Sequence, residues 1–117
     1  MNETPTISGV QVPHEAVASS ALMSILADLI GFDTTSRNSN LELIRYVEDY
    51  LSQHGVQSTL VHDDSGHKAN LYATIGPADL GGVMLSGHTD VVPVDGQRWA
   101  SDPFVLERID DKVFGRG

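Results

Sequence analysis

The hydrophobic period of this chain changes once, at His54-Gly55, and that change limits the folds open to it. Before it, apolar residues recur at helical spacing. Ala18, Ala21, Leu22, Ile25, Leu26 and Leu29 predict an amphipathic helix that starts at His14 and buries one stripe, with Gly31 as its stop. Phe32 to Asn38 form a polar connection. Ser39 and Glu42 then make an S-x-x-E capping box, in which each side chain satisfies a backbone N–H at the start of a second helix. Ile44, Val47, Tyr50 and Leu51 line one face of that helix, and Gly55 suits the left-handed position past its end. After Gly55 the period is two. Residues 56–62 and 70–75 predict strands, and the turn Asp63-Asp64-Ser65-Gly66 between them predicts a hairpin. Gly76-Pro77 and Gly81-Gly82 bracket a loop. Val83-Met84-Leu85 is a short apolar run, expected as a buried central strand. Residues 104–109 and 112–114 predict two more strands around Asp110-Asp111.

Two helices followed by strands predict an α/β layer with mixed strand directions. Hairpins argue against a purely parallel sheet. The strands nearest Gly117 have no following helices to cover them, so the domain is expected to be unfinished. Residues 1–13, with Pro5, Gly9 and Pro13, predict a loose N-terminal arm, which leaves 14–117 as one domain. No apolar stretch is long enough to span a bilayer. Met1-Asn2-Glu3-Thr4-Pro5 lacks the basic start and apolar run of a secretory signal, so a cytoplasmic address is expected.

The chain has no cysteine, so any metal must be held by histidines and carboxylates. The formal charge is −9, from 16 acidic and 7 basic residues, which disfavours nucleic acid as a partner. The acidic excess reads either as solubility or as provision for a cation, and composition does not choose between them.

The residues with chemistry sit in Ser86-Gly87-His88-Thr89-Asp90, directly after the apolar run. Sites in open α/β sheets gather at the carboxyl ends of strands. His88 and Asp90 are two apart, so in extended backbone they point to one side. A carboxylate there can accept one imidazole N–H and leave the other nitrogen for a metal. Equally, a His and an Asp can satisfy each other at a strand end. The H-x-D pair alone leaves both readings open.

The flanking runs extend the pattern. Val91-Val92-Pro93-Val94-Asp95-Gly96, Trp99, Asp102-Pro103-Phe104 and Phe114-Gly115-Arg116-Gly117 follow in order. Together, S-G-H-T-D-V-V-P-V, W-x-x-D-P-F and F-G-R-G resemble the M20 metallopeptidase family, whose members hydrolyse amide bonds with two metal ions. The resemblance implies the N-terminal part of a zinc-peptidase-like catalytic domain. It makes His88 a ligand to one zinc (or cobalt) ion and Asp90 the catalytic-site carboxylate that orients His88. Lys68 to Pro77 and the S-G-H-T-D-V-V-P-V-D-G-Q run are similar to the deacetylase branch. That branch implies hydrolysis of N2-acetyl-L-ornithine to L-ornithine and acetate, in arginine biosynthesis, by a homodimer acting on a small N-acyl amino acid. Desuccinylase and carboxypeptidase branches share most of these motifs. The family's metal-bridging Asp, in a segment reading roughly T-x-D-M-K-G, and its general-base Glu pair come after the G-R-G run. The 117 residues are therefore expected to be inactive alone.

Other residues offer less. His14 opens a helix and His54 closes one, a common capping arrangement for imidazole. His62 and His67 flank Asp63-Asp64, either as a solvated turn or as a stray cation site. Trp99 and Phe104 either line a pocket or cover the sheet. Arg116 reads as a surface or inter-segment partner. Asp33-Thr34-Thr35-Ser36 lie in a loop, but no chemistry at this level requires them.

Overall fold

A computed structural model of the chain describes residues 21–117 and the backbone of strand residues 6, 7, 10 and 11. The elements are β1 (Thr6–Ile7), β2 (Val10–Gln11), α1 (Ala21–Ile30), α2 (Leu41–Gln53), β3 (Ser58–His62), β4 (Ala69–Ala73), β5 (Glu107–Ile109) and β6 (Lys112–Phe114). The fold is mixed α/β, as the change of period requires. The described strands form three separate antiparallel pairs, β1 with β2, β3 with β4 and β5 with β6. The single mixed sheet expected from the sequence is not formed among the described residues. Apart from β1 and β2, the expected arm over 1–13 and the helix start at His14 lie outside those residues, as does Ala18.

The chain divides into two units. One comprises Met1–Gly31 and Trp99–Gly115. Here α1 follows its apolar stripe, with Ile25, Leu26 and Leu29 half-buried and Leu22 exposed. Gly31 ends it, its N–H donating to the carbonyls of Ala27 and Asp28 at 3.1 Å each. The strand expected from residue 104 begins at Glu107. The reason is local: Asp102 accepts from the Phe104 N–H through its carboxylate (2.9 Å) and from the Val105 N–H through its carbonyl (3.2 Å), so D-P-F turns. Asp110 starts the β5–β6 turn with φ of 55°, a left-handed conformation that Asp tolerates better than most residues. Gly115 lies against α1, where a Cβ would stand 2.9 Å from Ile30 Cγ2, so nothing larger fits without a shift.

The other unit comprises Phe32–Arg98 and Arg116–Gly117. Here α2 packs on β3 and β4. It buries Ile44, as its stripe predicts, and also Leu43, while Tyr50 stays at the surface. His54 closes α2 as expected. Its Nδ1–H donates to the Tyr50 carbonyl at 2.8 Å, its ring stacks at 4.6 Å on that of Tyr50, and Gly55 follows at φ 73°. The expected capping box is corrected. The helix starts one residue later, with Asn40 as its N-cap and no side-chain capping bond. Ser39 instead donates to the His67 carbonyl at 2.5 Å while accepting from the Leu41 N–H at 3.2 Å.

The β3–β4 hairpin pairs Ser58 with Ala73 through to His62 with Ala69. Its turn is held by Asp63, whose carboxylate accepts from the Ser65 hydroxyl and the Lys68 N–H. The buried strand expected at 83–85 is also corrected. Those residues have no regular structure, and Val83, Met84 and Leu85 are 88%, 75% and 92% exposed. A central strand needs a hydrogen-bonding neighbour on each side, and no described segment supplies one.

Candidate functional site

The site is built where residues 33–40 meet residues 86–91. Asp33 starts it with a local turn, accepting at Oδ1 from the Thr35 N–H (3.1 Å) and hydroxyl (2.6 Å). This turn aims the following backbone at Val91. Val91 N–H donates to the Thr34 carbonyl and Ser36 N–H to the Val91 carbonyl, both at 3.1 Å, which makes a single parallel bridge. Thr34 and Thr35 are buried, at 4% and 1% exposure, so their hydroxyls need partners. Thr35 finds Asp33, and Thr34 Oγ1 donates to the Thr89 carbonyl at 2.5 Å.

The structure brings His88 and Asp90 together. Imidazole Nδ1 lies 3.0 Å from Asp90 Oδ1 and 2.9 Å from the Asp90 carbonyl oxygen. Both oxygens accept only, so Nδ1 is the donor in both contacts. The second carboxylate oxygen, Oδ2, accepts from the Ser36 hydroxyl at 3.2 Å. The Ser36 hydroxyl, foremost, and then His88 hold the Asp90 carboxyl below the ordinary carboxylate value, against a desolvation effect of opposite sign. Both side chains face solvent, at 81% and 61% exposure.

An open cleft of about 610 Å³ adjoins the pair, and Ser86, His88, Asp90, Asn40, Lys68 and Asn70 are among the residues that line it. Lys68 Nζ donates to the Ser36 carbonyl, which ties the cleft wall to the loop. Beside it, Arg37 grips Asp95 through two bonds, of 2.6 and 3.2 Å.

The donor set fits one share of a metal site. A neutral imidazole whose Nδ1–H is held by a carboxylate is the usual state of a ligating histidine. A catalytic zinc takes three protein ligands, and no group of three metal-ligating side chains converges among the described residues. The His62–His67 turn gathers no such group either, and its Asp63 carboxylate is committed to the turn. Trp99 and Phe104 are half-buried. Arg116 donates to the Gln97 side chain, the inter-segment role expected of it.

Sequence reasoning passed over Ser36, Asn40, Thr34 and Thr35. The available signal was the density of short hydroxyl and amide side chains from Asp33 to Asn40, a polar loop lying between two helices.

No family model matches the chain. Its sequence is similar to several acetylornithine deacetylases. That of Pasteurella multocida is 37% identical over 111 residues, 94% of this chain and 27% of the relative. That of Edwardsiella ictaluri is 40% identical over 80 residues, 68% of this chain and 21% of the relative. That of Klebsiella pneumoniae is 50% identical over 54 residues, 46% of this chain and 14% of the relative. The chain thus spans about a quarter or less of the length of the curated relatives it matches.

Proposed function

We propose that this chain, acetylornithine deacetylase-like in sequence along 94% of its length, carries one metal ligand and its orienting carboxylate for a metal-dependent amide hydrolase. The substrate of this reading is N2-acetyl-L-ornithine, cleaved with water to L-ornithine and acetate. The setting is a cytoplasmic, homodimeric enzyme of arginine biosynthesis built on a zinc-peptidase-like domain. One observation carries the reading: His88 Nδ1–H is held by Asp90, which leaves Nε2 as the ligating atom. The names of the relatives support the acyl group and the amino acid.

In this reading His88 takes one of two zinc (or cobalt) ions. The chemistry such ions would supply is a lowered pKa for the attacking water and polarisation of the scissile carbonyl. The residues of this chain do the positioning. Asp90 fixes the imidazole tautomer and raises the basicity of the ligand. Ser36 holds the far oxygen of Asp90, so the near one stays on His88. The open cleft beside the pair gives a small N-acyl amino acid room to approach. With no trio of ligands among the described residues, the 117 residues alone are proposed to lack turnover.

The test is acetate release from N2-acetyl-L-ornithine by the protein that carries this sequence, with N-succinyl-diaminopimelate and dipeptides as competitors. Acetylornithine is expected to be preferred, and His88→Ala to abolish nearly all activity and the binding of one metal. Wild-type turnover by His88→Ala would overturn the ligand assignment. A preference for the succinylated substrate would move the chain to the desuccinylase branch.

A further inference from the structure

Asn40 precedes α2, where an Asn side chain ordinarily turns back onto the first helical N–H groups. It does something else here. Its Nδ2 donates to the Ala69 carbonyl at 2.9 Å, and its Oδ1 accepts from the Ala69 N–H at 3.0 Å. These two bonds copy the pairing of a strand neighbour and set which way the amide faces. Flipped, it would put NH2 against N–H and oxygen against carbonyl. The remaining Nδ2 hydrogen is thereby aimed at Thr89, whose Oγ1 accepts it at 3.0 Å. Ala69 is buried, at 4% exposure, so its backbone groups have no ready exchange with water.

Thr89 is held on its other side by the buried Thr34, which donates to its carbonyl at 2.5 Å. It stands between His88 and Asp90. Both acceptors of the His88 Nδ1–H, the Oδ1 and the carbonyl, belong to Asp90. A rotation of the backbone at Thr89 would remove them together, whereas the Ser36 bond restrains only the carboxylate.

We infer that Asn40 is a positioning residue: acting through Thr89, it selects the His88 tautomer that leaves Nε2 free. The inference rests on the proposed reading of His88 as a ligand through Nε2. Asn40 also links that pair to the hairpin, because the same amide closes on Ala69 at the end of β4.

The test is two-bond proton–nitrogen NMR of the 117-residue chain at alkaline pH, where imidazoles are neutral. Thr89→Val removes the acceptor and keeps the branched shape. Asn40→Asp removes the donors and keeps a preferred N-cap residue. Thr89→Ser restores the hydroxyl. Wild type and Thr89→Ser are expected to hold His88 mainly as the Nδ1–H form, and Thr89→Val and Asn40→Asp mainly as the Nε2–H form. A merely structural bond would lower the melting temperature of Thr89→Val and leave the tautomer unchanged. Should Asn40→Asp not fold, Thr89→Val decides, since its change is at a half-buried side chain. Nδ1–H retained in both variants overturns the inference and leaves the ligand reading standing. Nε2–H in the wild type overturns the ligand reading, and the inference with it.

Discussion

At the scale of the residue, the site is a set of short side chains, each settling the orientation of the next. Asp33 turns the loop, Ser36 takes one oxygen of Asp90, and Asp90 takes His88. The His88–Asp90 pair was legible in the sequence because its members lie two apart and need only local geometry to meet. Ser36 and Asn40 were not, because their partners lie 54 and 49 residues away, and only the fold brings them near. Asp90→Asn in the protein that carries this sequence is expected to keep more metal than His88→Ala. It should still lose about 10- to 100-fold in rate, the usual effect of changing a ligand's hydrogen-bond partner. Metal analysis with kcat measurement checks both halves, and an unchanged rate would remove Asp90 from the site. Asp33 and Asp63 add a pH dependence. Each is held below the ordinary carboxylate value, Asp33 foremost by the Thr35 hydroxyl and Asp63 foremost by the Ser65 hydroxyl. A carboxyl whose folded-state pKa is depressed gives stability that is present above its unfolded-state pKa and lost as pH falls through the folded value. Both contributions are therefore whole at neutral pH and vanish on acidification past the usual carboxylate range. Urea melts at descending pH should show this loss, and Asp33→Asn and Asp63→Asn should each flatten it. An acid limb in both variants unchanged from that of the wild type would contradict the assignment.

At the scale of the element, the helices and hairpins follow their periods. α2 and β3–β4 form where the spacing of apolar residues and the Asp63 turn predict them. The helix start moved because a tertiary demand outweighed a local one. Ser39 and Asn40 give their side chains to His67 and Ala69, so the capping box of the sequence is set aside. The β5 boundary moved for the opposite reason, a local turn at Asp102 that consumes residues of good strand propensity. Asp110 provides a test at this scale. Its left-handed φ of 55° suits Asp, Asn or Gly, and a β-branched side chain there is strained. Asp110→Val is expected to destabilise the hairpin by about 1–2 kcal/mol, and Asp110→Gly to leave it intact. Hairpin amide exchange reads the difference, and equal protection in the two variants would contradict it.

At the scale of the whole molecule, the likeness to acetylornithine deacetylases was the most legible property and the sheet the least. Motifs such as S-G-H-T-D-V-V-P-V report local chemistry and survive reading out of context. A central strand is defined by its neighbours, so the apolar character of Val83, Met84 and Leu85 could announce burial without saying against what. In the structure these side chains stand exposed, with Ile75 at 79% and Leu80 at 69% exposure in the same unit. Apolar segments with unpaired backbone invite pairing between chains. The 117-residue chain is therefore expected to self-associate as its concentration rises in sedimentation velocity, and Met84→Lys to reduce that association. A monomer at every concentration would count against an adhesive 83–85 segment.

The proposed function gives these residues one ligand's share of a two-metal hydrolase site, with His88 as that ligand. Calorimetric titration of the 117-residue chain with Zn2+, in parallel with His88→Ala, tests it most directly. Weak binding of a single ion, lost in His88→Ala, together with no release of acetate from N2-acetyl-L-ornithine, is the predicted result. Tight binding of two zinc ions with turnover, or binding indifferent to His88→Ala, would contradict it.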